Sequence, residues 1–150
     1  MLEAKTELQI GAPVHDVFEA IADPKKMSAY FTTTGSGRLQ EGKIITWTWA
    51  DYNAVHEIHV EQVEKDRLIS FLWSASGVET KVRITLEPSN ENVTLVKIRE
   101  RGWDKDDEGI ARLADQTQGW VNMIFCLKGY LEYGINLRSI ANRNEMNSEL

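Results

Sequence analysis

The sequence predicts an α+β fold, a curved antiparallel sheet crossed by one long C-terminal helix, and three observations carry that expectation. Between Gly35 and Trp103 apolar residues recur with a period of two, in runs separated by short polar turns. Ahead of that region stand two short helical patterns divided at Asp23-Pro24. Behind it a helical pattern runs on from the acidic stretch Asp104–Asp107. A sheet with one apolar face must be covered on that face, and the long helix is the only segment able to do it.

The elements follow in order. AKTELQI alternates weakly and reads as a first strand over residues 4–10. In GAPVHDVFEAIAD, Pro13 suits a first helical turn, and Val14, Val17, Phe18 and Ile21 share one helical stripe. Asp23 then caps a second short helix, PKKMSAYF, with Pro24 just inside it. Gly37–Leu39 reads as a short strand. Lys43–Ala50 reads as a longer one, with Ile45, Trp47 and Trp49 on one face. Asp51-Tyr52-Asn53 is turn material. Strands are expected at Val55–Val63, Arg67–Trp73, Val78–Leu86 and Val93–Arg101, joined by turns short enough for an antiparallel meander.

The terminal helical pattern extends to about Ala141, and Trp120, Ile124, Leu127 and Leu131 form its stripe, widened by Val121, Phe125 and Cys126. It contains Gly119, Gly129 and Gly134, although an exposed interior glycine costs a helix about 1 kcal/mol against alanine. Gly129 and Gly134 read as points where the helix backbone approaches the curved sheet. Gly119 reads as a bend or the start of the well-packed half, with a true helix break there as the alternative. Residues 1–142 are therefore expected to form one domain, and 143–150 a polar, frayed tail.

Composition narrows the function. A net charge of −6 and a pI of about 5.1 disfavour nucleic acid or an anionic membrane surface as partner. Cys126 is the only cysteine, so no intramolecular disulfide forms, and its apolar setting suggests a small buried thiol. The opening MLEAKTELQI lacks the character of a secretory signal, and no apolar run approaches the roughly 18 residues of a membrane span. A cytoplasmic location is the resulting expectation.

The segments IGAPVHDVFEAIADPKKMSAYF, GSGRLQEGKIITWTW, VEQVEKDRLISFLW and QGWVNMIFCLKGYLEYG, in this order, resemble the activator of heat-shock protein ATPase homologue (Aha-type) family. The resemblance covers about residues 5–135. It implies membership of the START-like, pollen-allergen-like helix-grip superfamily, in which a cavity between sheet and long helix often holds a small apolar or amphipathic ligand. It also implies, as an alternative, a chaperone co-factor that activates a heat-shock ATPase.

Within that frame the inward aromatics are the candidate ligand contacts: Trp47, Trp49, Phe71, Trp73 and Trp120, with Tyr30 and Phe31 from the second short helix and Ile124 beside them. Large flat side chains on a concave sheet either line an apolar pocket or fill it. Parity adds polar groups to the same face: His56 with Ile58 and Val60, and Glu100 with Val96 and Ile98. A buried imidazole and carboxylate need partners, so they pair with each other, bond a ligand, or serve as acid and base in a cyclase or hydrolase. Lys97, Arg99 and Arg101 alternate outward as a solvated face. Asp104, Asp106, Asp107 and Glu108 suit a helix start and lack the spacing of a calcium loop. The histidines show no zinc spacing, and no phosphate loop or nucleophile elbow occurs, so neither metal nor cofactor is expected. The expected partner is a small apolar or amphipathic ligand, with a chaperone or a second copy of the chain as alternatives.

Overall fold

The computed structural model describes residues 1–138 of the 150. Seven strands form one antiparallel sheet: β1 (Glu3–Ile10), β2 (Thr34–Gly35), β3 (Ile44–Trp49), β4 (Ala54–Glu64), β5 (Leu68–Trp73), β6 (Thr80–Asn90) and β7 (Val93–Arg101). Helices α1 (Val14–Ala22) and α2 (Pro24–Met27) follow β1, and α3 (Asp107–Tyr133) follows β7. The order across the sheet is β1-β7-β6-β5-β4-β3-β2, a meander whose far edge is completed by the first strand. Opposite charges suit the β1–β7 register: Glu3 faces Arg101, Glu7 faces Lys97, and Glu7 accepts from the Arg99 guanidinium at 2.8 Å.

Asp23 caps α2 as its sequence predicts, its side chain accepting from the Lys25 backbone N–H, with Pro24 in the first turn. Asp106 does the same for α3 through the Gly109 N–H. The short strand lies at Thr34–Gly35 rather than Gly37–Leu39, because Ser36 closes the pairing through its bond with Thr46 and the chain then turns Leu39 back to bond Ala22. A register shift between Val60 and Gln62 lets β4 bend as it crosses from β3 to β5.

The core lies between the inner face of the sheet and the helices. Ile45, Trp47, Ile58, Ile69, Phe71, Val82, Ile84, Val96 and Ile98 contribute from the strands, and Trp120, Met123, Ile124 and Leu127 from α3. The stripe on α3 is narrower than its sequence suggests. Val121 and Phe125 point outward, with Phe125 half exposed, and Leu131 is only half-buried.

The glycines of α3 act differently from the expectation. The helix is continuous through Gly119, whose missing side chain faces open space. Gly129 is approached by Leu137 and Ile135 of the following segment, not by the sheet. Gly134 ends the helix in the left-handed conformation (φ 65°), its N–H bonding Tyr130 O, and so α3 stops at Tyr133 rather than near Ala141. The chain then doubles back, Ile135 N–H bonding Gly129 O. The polar tail expected at 143–150 lies outside the described residues. Among the described residues no helix is long and apolar enough to cross a membrane.

Candidate functional site

Alternation in β3 and β5 puts Trp47, Trp49, Phe71 and Trp73 on the inner face, as their spacing predicts, and α3 lays Trp120 against them. The rings meet mostly edge to face. Trp47 lies 5.4 Å from Phe71, 6.0 Å from Trp73 and 6.1 Å from Trp49, centroid to centroid, and Trp73 lies 5.4 Å from Trp120. These are the separations of aromatic pairs in direct contact. Trp47, Phe71, Trp73, Trp120 and Ile124 are buried, so they fill the centre of the sheet–helix interface. Tyr30 is buried as well, stacked on Tyr130 at 5.5 Å with its hydroxyl donating to Ala20 O, which raises its pKa well above the ordinary tyrosine value through burial.

Glu100 is fully buried on the inner face and is held entirely by donors. One carboxylate oxygen accepts from the Trp120 indole at 2.7 Å and the Gln116 amide at 3.0 Å. The other accepts from the Thr80 hydroxyl at 2.6 Å and the Trp73 indole at 3.0 Å, and the Gln116 amide reaches it as well at 3.2 Å. The carboxylate thereby ties β5, β6, β7 and α3 at one point. His56 is not among its partners, so the pairing of these two groups suggested by their parity does not form. The imidazole instead stands across from Trp47 in the β3–β4 register, with its ring 5.8 Å from Trp49 and 6.0 Å from Trp73. Trp73 therefore touches both groups. Burial among these rings lowers the His56 pKa.

Beside the aromatic core, along one flank of α3, lies an open hollow of about 540 Å³. Phe31 and Trp49 line it, the two among the expected contacts that reach it. Four α3 residues at helical spacing, Gly119, Asn122, Met123 and Cys126, form one wall. Tyr52 closes it from the 3-10 turn Ala50–Tyr52, and Leu137 and Arg138 close it from the segment that doubles back. Arg138 donates to the Phe31 carbonyl and to the Asp51 carboxylate, and its guanidinium lies 5.5 Å over the Tyr52 ring. Cys126 is half-buried here, with burial pushing its thiol pKa up and the Arg138 charge pulling it partly back.

His56 belongs to a separate concavity of about 400 Å³ where β4 begins and β5 ends, with His59, Glu57, Trp73 and Glu79. No group of three or more His, Cys, Asp or Glu among the described residues could hold a metal ion. Tyr52, Asn122, Met123, Leu137 and Arg138 were not singled out by sequence reasoning as site residues. The i, i+3, i+4, i+7 row from Gly119 to Cys126 is the signal that could have marked one wall; the rest depends on where the chain turns after α3.

The model of the family described as activator of Hsp90 ATPase homolog 1-like protein matches residues 11–132. No curated protein matches the chain. Among solved structures, protein SSP2350 from Staphylococcus saprophyticus is 36% identical with a TM-score of 0.80, over 91% of this chain and 96% of that one. DynU16, a protein in the dynemicin biosynthetic locus, is 26% identical with a TM-score of 0.79; the match covers 89% of this chain and 48% of DynU16, so the chain spans about half of that protein's length. The Aha1 dimer from Colwellia psychrerythraea has a TM-score of 0.76 at 18% identity, over 89% of this chain and 98% of that one, a likeness of fold alone.

Proposed function

The chain belongs to the activator of Hsp90 ATPase homolog 1-like family, and from that premise we propose that it is a small-molecule binding module whose site is the hollow along α3. The observation that carries the reading is the hollow itself. Its volume of about 540 Å³ falls within the roughly 300–1,000 Å³ of small-molecule sites. Its lining is mainly aromatic and aliphatic, with Asn122 and Arg138 as the strongly polar members. Burial of apolar ligand surface there is worth about 25 cal/mol per Å². Phe31 and Trp49 are the ligand contacts; Trp47, Phe71, Trp73 and Trp120 are the rigid backing that holds them. The presence of DynU16 in a biosynthetic locus is in keeping with a small-molecule role.

The test uses N-phenyl-1-naphthylamine, an uncharged apolar fluorophore. Saturable binding to the full chain is expected, with fluorescence enhancement. Gly119 has open space where a side chain would go, so Gly119→Leu intrudes on the wall of the hollow without meeting a neighbouring atom at its Cβ. That variant is expected to keep the native circular dichroism spectrum and to lose the binding. If the unaltered chain shows no saturable binding, or Gly119→Leu binds equally well, the hollow is not the site.

A protein-interaction role is the second reading. It draws on the exposed apolar side chains around the same flank, Tyr52, Phe125, Tyr133 and Leu137, and on the dimer formed by the Colwellia Aha1. A second copy of this chain would cover those side chains, and sedimentation velocity over rising protein concentration decides whether it does.

A further inference from the structure

We propose that the ligand of the hollow is an apolar organic acid, and that Arg138 receives its anionic head in competition with Asp51. The inference rests on the binding reading above and adds the chemical class.

Arg138 is the one charged residue lining the hollow among those described. Phe31, Trp49, Met123, Phe125 and Leu137 around it offer little to an ion, and Asn122 is the one other strongly polar member of the lining. A guanidinium carries five N–H donors in a planar fork. Among the described residues it makes two contacts, to Phe31 O and to the Asp51 carboxylate, and these leave part of the fork to meet a further acceptor. The Tyr52 ring lies 5.5 Å from the guanidinium carbon and shields that side of the cation. The positive charge also reaches the thiol of Cys126 across the hollow, where it opposes the effect of burial. An incoming carboxylate or sulfonate with an apolar body meets a partly dehydrated cation at one end and aromatic walls along its length. Charge-assisted hydrogen bonds to such a cation are about twice as strong as neutral ones. Asp51 already holds part of the guanidinium, so it weakens the capture of any acid and sets its threshold.

The chain carries a net charge of −6. At long range it repels anions, so a preference for an anionic over a neutral form of one molecule must come from a local cation.

The experiment compares two probes sharing one anilinonaphthalene body: uncharged N-phenyl-1-naphthylamine and the anion 8-anilino-1-naphthalenesulfonate. The full chain is expected to bind the sulfonate roughly tenfold more tightly. Arg138→Gln is expected to abolish that difference, read as the ratio of the two affinities measured on the same variant. Arg138→Lys, which keeps the charge without the fork, is expected to retain part of it. Asp51→Asn is expected to raise the ratio of sulfonate to neutral-probe affinity severalfold. If the neutral probe binds and the sulfonate binds no better, or the preference survives Arg138→Gln, the acid is not the ligand class although the hollow still binds. If Arg138→Gln weakens both probes by disturbing Phe31, the Asp51→Asn ratio decides: an unchanged ratio overturns the proposal, a raised one supports it. Failure of both probes on the unaltered chain removes the binding reading together with this one.

Discussion

Replacing Glu100 by Gln removes one formal charge and almost no volume, and its cost follows from the donors around it. An amide has one acceptor oxygen where the carboxylate has two. If the new NH2 takes the place beside Trp120, the Gln116 amide can turn to offer its own oxygen, but the Trp120 N–H has no such freedom and is stranded. If the NH2 takes the other place, the Thr80 hydroxyl can rotate to accept, but the Trp73 N–H is stranded. Either orientation leaves one buried indole donor without a partner, which costs about 1–3 kcal/mol. Glu100→Ala strands both indoles, for about 2–6 kcal/mol before any cavity is counted. A domain of this size is stable by roughly 5–15 kcal/mol, so the Gln variant stays folded and measurable. Urea unfolding followed by tryptophan fluorescence is expected to show midpoints falling in the order unaltered chain, Gln, Ala, with the slope unchanged for Gln. Adding Trp120→Phe to the Gln variant removes the stranded donor, so the double variant is expected to lose less than the sum of the singles. A Gln variant with the unaltered midpoint, or strictly additive losses, would refute the reasoning.

Two further outcomes are expected. A Cβ on Gly109 would lie 1.9 Å from the backbone oxygen of Asp104, so Gly109→Ala must push apart the turn that starts α3; a loss of about 2 kcal/mol or more in thermal or urea unfolding is expected, and a neutral change would mean that this turn is not packed as described. Burial holds the His56 pKa in the folded chain below its ordinary 6.5, so the unfolded chain takes up a proton first as pH falls. Stability is therefore expected to fall as pH drops through 6.5 toward the folded value, and His56→Gln to flatten that slope in the window just below pH 6.5. Glu7, Glu19 and Glu132, whose pKa values are lowered chiefly by hydrogen bonds from Arg38 or Arg99 side chains or the Gly11 backbone, act below their ordinary 4.5 and leave that window clear. An unchanged slope in the His56 variant would show that the imidazole titrates alike in both states.

Local pattern carried most of the fold. Ile45-x-Trp47-x-Trp49 and Ile69-x-Phe71-x-Trp73 announce their buried faces because a strand alternates strictly, and Asp23-Pro24 announces a helix start because its side chain and ring satisfy what the first turn lacks. Glu100 reads correctly as inward for the same reason. Its partners do not, since they come from residues 73, 80, 116 and 120, and nothing in a period ties those positions together. The α3 terminus was obscured because Gly134 sits in a pattern that could continue, and only its left-handed backbone stops it. That stop decides where Leu137 and Arg138 fall, and with them the shape of the hollow. The candidate site was thus half legible: its rings follow from alternation, its opening from a turn that alternation does not describe.

The pairing of β1 with β7 has a consequence for how the chain is made. Residues 3–10 find their partners only at 94–101, while the remaining strand pairs join near neighbours in sequence. On a ribosome delivering about 5–20 residues per second, the first strand waits several seconds for its mate. During that interval it is an unpaired edge with Ile10 and Leu8 uncovered. Closing so long a loop is the slow kind of contact, so the moment of β1 docking is expected to govern both the folding rate and the exposure of the newborn chain to aggregation.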